Sequence, residues 1–247
     1  MARPILIFIL TISSLIGFAQ NKRRSLDELI NKEEPAWPSI KKWIAEGENQ
    51  VDILSVDSSR AREELYKTQV TTRSPMGAIV YMTGGILVDN GWIRILGSGC
   101  KRMNRSLMDW NKGKSFNEIG DGPTFLLIAD DAIGGFFILN LGALGTDIGK
   151  VYYFSPDNLE YEAMDLTYSQ FIQFCFNVNL DDFYKGYRWK NWEEEVANLD
   201  GDNVFTFFPY LWAKEGRDIN KNTRSAVPIE EQYGLNIEFR KKLGLDK

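Results

Sequence analysis

Between Ala78 and Ala163, short apolar runs alternate with tight turn signals, and this rhythm constrains the fold more than any other feature of the chain. The runs are 78–82, 85–89, 92–96, 125–129, 136–139, 150–154 and 159–163. Runs this short fit strands and are too brief for most helices. Asn90-Gly91 is expected to close a two-residue type I′ hairpin, because both residues tolerate positive φ. The segment from Asp130 to Gly135 joins the next pair, and Ser155-Pro156-Asp157-Asn158 turns the last one with a proline that presets φ. About seven short strands joined by tight turns predict a largely antiparallel sheet.

Helical signals flank this block on both sides. Ser25 and Glu28 form a capping box for a short helix that Pro35 interrupts. Trp37, Ile40 and Ile44 recur at helical spacing up to Gly47, and Asp57 or Ser58 caps a third segment with Ala61, Leu65 and Gln69 on one face. Beyond the strands, Tyr168, Phe171, Ile172 and Cys175 trace a face that should pack on the sheet. Trp192, Val196 and Leu199 trace another, with Glu193, Glu194 and Glu195 solvated. A β-rich run, 204–208, ends at Pro209, and the polar stretch 214–225 reads as a mobile loop. A last helix is expected to align Leu235, Phe239 and Leu243. With no repeat, low-complexity tract or linker, the pattern predicts one α+β domain over 20–247, its sheet packed by N-terminal and C-terminal helices.

Residues 1–19 read as a signal peptide. Arg3 is followed by an uncharged apolar run, and Gly17-Phe18-Ala19 places small residues before a cleavage point at Gln20. An uncleaved anchor is the competing reading of that run, opposed by Thr11, Ser13 and Ser14 in its middle. The expectation is an exported chain, periplasmic or secreted, with no membrane anchor once the signal is removed. Cys100 falls in a polar, glycine-rich loop and Cys175 on an aromatic helical face, settings that argue against a bridge despite an oxidising compartment.

Composition narrows the chemistry. The 247 residues include no histidine, which removes Ser-His-Asp and Cys-His triads and histidine-based zinc sites. A net charge of −5 offers no electrostatic footprint for a nucleic acid. No metal site and no cofactor motif is expected. Ser98-x-x-Lys101 and Ser39-x-x-Lys42 lack their partner motifs, and Asp218-x-Asn220-x-Asn222 lacks the glycine and the closing acid of a calcium loop.

Two constellations remain. Asp130 and Asp131, at the exit of an apolar strand, are the candidate catalytic acids, although adjacent strand residues point to opposite faces and both also suit a turn. Arg188-Trp189-Lys190-Asn191-Trp192 interleaves cations with indoles. Arg188, Trp189, Trp192 and the loop cation Arg73 are the candidate ligand-binding residues, with a core role for the tryptophans as the alternative. The cluster Lys101, Arg102 and Arg105 reads as a solvated basic loop.

Several segments carry a family resemblance: Glu34-Pro35-Ala36-Trp37-Pro38, Thr71-Thr72-Arg73-Ser74-Pro75-Met76-Gly77, Val88-Asp89-Asn90-Gly91-Trp92, 129–137, 151–154 and 192–196. They resemble a bacterial domain family of unknown function, number 2625, which implies no catalytic residues. Residues 134–177 are also similar to the SUKH superfamily of immunity and scaffold proteins, which implies function by binding. The expected function is a non-catalytic protein-binding module, immunity-like in this reading, with a protein as partner. The alternatives are a cell-envelope glycan or peptide hydrolase using carboxylates, or a structural envelope component. The sequence leaves the oligomeric state open.

Overall fold

A computed structural model of the protein describes residues 23–245; the expected signal peptide and its cleavage point lie outside the described residues. The described chain opens with α1 (Leu26–Leu29), held by the Ser25–Glu28 capping box, and α2 (Trp37–Glu46), closed by Gly47. The edge strand β1 (Val51–Leu54) and α3 (Ser58–Thr68) follow, the helix capped by the Asp57 carboxylate on Ser59 and Arg60 N–H.

Residues 78–82, read as a strand, belong to α4 (Pro75–Met82). Ser74 caps this helix by accepting from Gly77 N–H, and Pro75 presets its first turn. Met76 to Val80 are all buried, so the helix shows no polar face and no helical period. Gly77 backs directly onto the Thr71 carbonyl, where a Cβ would overlap.

The sheet then runs through β2 (Gly85–Val88), β3 (Ile93–Leu96), the short α5 (Leu107–Asn111), β4 (Phe125–Asp131), β5 (Phe136–Asn140), β6 (Lys150–Phe154) and β7 (Tyr161–Thr167). Its seven strands lie in the order β1 to β7, every neighbouring pair antiparallel. The expected architecture and strand number hold, but the membership differs: β1 takes the place of 78–82. The short, mostly exposed β1 carries little hydrophobic signal.

The turn at Asn90-Gly91 is also longer than expected. Val88 pairs with Ile93, leaving a loop of Asp89 to Trp92 with positive φ at Asp89, Asn90 and Gly91. Trp92 leaves the ladder because its ring is drawn into the core and its carbonyl accepts from Ala132 N–H. Strands β2, β3 and β5 are buried throughout, so the sheet is covered on both faces.

The C-terminal part comprises α6 (Tyr168–Asn177), α7 (Leu180–Phe183), α8 (Trp192–Ala197), β8 (Asn203–Phe208), β9 (Thr223–Pro228) and α9 (Ile229–Lys242). Strands β8 and β9 form a separate antiparallel hairpin. The stretch read as a mobile loop is structured: 214–216 form a 3-10 turn, Asn222 is buried and donates to the Gly216 carbonyl at 2.7 Å, and 223–225 belong to β9. The face of α9 differs too. Ile229, Gln232 and Asn236 are buried, whereas Leu243 is exposed. Two amides take core positions because they hydrogen-bond inward, as described below. Cys100 and Cys175 are both buried and free.

Candidate functional site

Asp130 and Asp131 end β4 and are fully buried. They face opposite ways and meet different partners. Asp130 lies opposite Arg94 in the β3–β4 register. Its carboxylate is 2.6 Å from Arg94 Nη2 and 2.6 Å from Arg105 Nη1. Arg94 also donates to the carbonyls of Asp131 and Asn203, and Arg105 to Asp202 and the Gly201 carbonyl. The network therefore ties the sheet to the segment that leads into β8. Arg105 is not part of a solvated loop, and only Lys101 and Arg102 of that trio are exposed.

Asp131 closes the β4–β5 connection. Its Oδ1 accepts from Ile133 and Gly135 N–H at 3.1 and 2.8 Å, and its Oδ2 from the Tyr153 and Tyr184 hydroxyls at 2.7 and 3.2 Å. Burial pushes the Asp131 carboxyl above its ordinary range, with the Tyr153 bond opposing. Burial, with the carboxylate beside them, also holds both phenols well above theirs. Gly135 is required here, because a Cβ would overlap Tyr153 Oη and the carboxylate. Asp131 is thus hydrogen-bonded on both oxygens, whereas Asp130 is ion-paired on both and its Oδ1 makes no hydrogen bond among the described residues.

The indole and cation candidates also turn inward. Trp189 and Trp192 are buried and pack around Trp92 at ring distances of 5.7 and 4.9 Å. The Arg188 guanidinium lies 4.0 Å from the Trp192 ring and 4.9 Å from Trp92, and it bonds to Asp89 and Asp181. Arg73 stands apart in the loop before α4, exposed and paired with Glu34 at 2.6 Å. The structure therefore joins Arg188, Trp189 and Trp192 in one packed cluster that excludes Arg73.

An open cleft lies elsewhere, between the β8–β9 hairpin and α9. One face of the hairpin (Phe205, Phe207, Arg224) packs on Trp189 and α8, where Arg224 grips Glu195 through two bonds of 2.8 and 2.5 Å. The other face and α9 wall a cleft of about 490 Å³, lined by Thr206, Phe208, Thr223, Val227, Glu231 and Leu235 among others. Phe208 stands at 70% exposure on its rim. Gln232 also lines the cleft. Its Nε2 donates to Asn236 Oδ1 at 2.7 Å, and Asn236 Nδ2 donates to the Gly134 carbonyl at 3.0 Å. That carbonyl fixes the sense of both amides, so the chain ends in Gln232 Oε1, a buried acceptor with no partner among the described residues. Sequence reasoning missed this cleft because 223–225 looked like polar loop. The alternation of Thr206 with Phe208, and of Thr223 with Ser225 and Val227, was the available signal.

Among the described residues, no group of three or more metal-ligating side chains is placed to hold an ion. No helix among them is long and apolar enough to cross a membrane. The family model described as "Protein of unknown function DUF2625" matches residues 26–232. An uncharacterised protein of Haemophilus influenzae (strain ATCC 51907 / DSM 11121 / KW20 / Rd) is 43% identical over 222 residues, covering 90% of this chain and 97% of that protein. The uncharacterised protein YbfG of Escherichia coli (strain K12) is 40% identical over 217 residues, covering 88% and 97%.

Proposed function

The chain belongs to the protein family of unknown function DUF2625, and from the geometry we propose that it is a binding protein, exported to the periplasm or beyond, that recognises a protein ligand without catalysing a reaction on it. The observation that carries this reading is the hairpin–α9 cleft, an open space of about 490 Å³ whose walls mix aromatic, aliphatic and hydroxyl side chains. Such a lining supplies contact area and hydrogen bonds, the means by which a recognition surface works. The hydrolase alternative gains no support from Asp130 and Asp131, both sealed from solvent and engaged by arginines, phenols and backbone amides. In this reading 20–247 act as one mature α+β domain.

The test uses the mature chain as bait in periplasmic extract, beside a Phe208→Ser variant. Phe208 is so exposed that its replacement should leave folding unchanged within about 0.5 kcal/mol. A partner captured reproducibly by the unaltered chain and lost by the variant is the expected result. No reproducible partner, or equal capture by both, defeats the proposal. Export is tested separately by N-terminal sequencing, which should start at Gln20; Met1 on secreted material would refute cleavage.

A further inference from the structure

The β8–β9 hairpin has one edge in use and one edge open. Phe205 N–H donates to the Ala132 carbonyl at 2.8 Å, and the Asn203 carbonyl accepts from Arg94. Both groups point away from β9, so Phe205/Ala226 and Asn203/Pro228 are wide pairs of the antiparallel ladder. The narrow pairs that exchange hydrogen bonds are then Val204/Val227, Thr206/Ser225 and Phe208/Thr223. Pro228 consequently sits where β9 needs no inward donor. By the same alternation, the N–H and C=O of Arg224 and Ala226 point outward. Among the described residues these four groups have no partner, and no strand there pairs with β9 except β8. Ser225 and Ala226 are small and exposed, so the edge can be approached closely.

We infer that β9 receives an extended segment of a partner protein as a third strand, with apolar side chains directed into the cleft and basic side chains on the opposite face. This rests on the binding reading above and adds its mode. Donor and acceptor pairs two residues apart, about 6.8 Å along the strand, complement an extended main chain rather than a compact ligand. On the cleft side, the new strand continues the wall made by Val227, Phe208 and Leu235, which suits apolar side chains. On the other side, Glu195 holds Arg224 while Glu193 and Glu194 stay exposed on the same helical turn. The surroundings of the edge are therefore acidic, in a chain of net charge −5, and call for a basic complement. A second copy of this chain would instead bring the same acidic turns together.

The probe is a capped hexapeptide of alternating lysine and valine, and the readout is amide hydrogen exchange on the isotope-labelled mature chain. With peptide at ten times its dissociation constant, exchange at Arg224 and Ala226 should slow about tenfold, as mass action requires. A peptide methylated on the nitrogens that face β9 should lose the effect with no change to the protein. Ala226→Pro should lose the slowing at Arg224 too, since it removes an outward donor and no bond to β8. Binding that protects other residues but leaves Arg224 and Ala226 unprotected overturns the inference, as does failure of the peptide to bind. Equal binding of a glutamate–valine peptide overturns the basic specificity. Slowing that grows with protein concentration in the absence of peptide points to a second copy and also overturns it. None of these results alters the Phe208→Ser capture experiment, whose failure would remove the binding reading itself.

Discussion

At the residue scale, buried ionisable groups in this protein are held in place by their neighbours, and the cost of removing one depends on what it leaves behind. Asp130→Asn leaves Arg94, 2% exposed, without its full counter-charge, whereas Arg105 keeps Asp202. Breaking a buried pair in this way typically costs about 3–5 kcal/mol. Asp131→Asn removes a carboxyl whose charged form burial already disfavours, and its cost should be nearer 1–2 kcal/mol. Urea midpoints should rank the two in that order, and the reverse order would contradict the assigned roles. Glu64 supplies a pH test. It is 2% exposed, caps α5 through Met108 N–H, and burial raises its carboxyl to about 7. A raised carboxyl binds its proton more tightly when folded, so its contribution is complete below about 4.5 and is lost as pH rises to about 7. The loss is on the order of 3 kcal/mol, and Glu64→Gln should flatten the unfolding midpoint between pH 5 and 8. Part of the Asp130 site was legible, since Ile93-Arg94-Ile95 places a charge inside an apolar strand and so demands a buried counterion. Arg105 was not, because nothing local to a basic loop shows that it folds over a carboxylate.

At the element scale, what could be read from sequence tracks how strongly each element marks its own boundaries. Helices α1, α2 and α3 carry caps or stop residues at the expected positions, α6 buries most of its expected face, and the pairs β2–β3, β4–β5 and β6–β7 are joined by short turns. The failures share one cause. Helix α4 is apolar all round, β1 is brief and exposed, and β9 is polar on its open side, so each lacks the contrast between faces on which periodicity depends. The signal that α4 did carry was Ser74-Pro75, a cap followed by a first-turn proline. Gly77 lies one turn inside it. Propensity alone favours alanine there by about 1 kcal/mol. The overlap with the Thr71 carbonyl, which is backbone and held by the Ser74 N–H, reverses that preference. Gly77→Ala should therefore destabilise by about 2 kcal/mol, read from the thermal or denaturant midpoint; a stabilised variant would show that α4 and the 70–72 segment are free to separate.

At the scale of the whole molecule, the two cysteines connect the interior to the compartment in which the chain is proposed to act. Cys175 sits on α6 and is entirely buried, and desolvation pushes its thiol far above the ordinary range, which suppresses the thiolate needed for exchange. Cys100 lies below Gly84, whose missing side chain leaves room for its sulfur, and it too is screened from solvent. An oxidising environment therefore meets neither thiol in the native state, and core packing rather than redox chemistry keeps them free. Protein exported and purified without reductant should take up alkylating reagent at both positions once denatured, and not before. Its melting temperature should be the same with and without dithiothreitol. A mass two hydrogens lighter in the non-reduced chain, with melting lowered by reductant, would instead mean that Cys100 and Cys175 meet during folding and that the packing around Gly84 and α6 is rebuilt to join them.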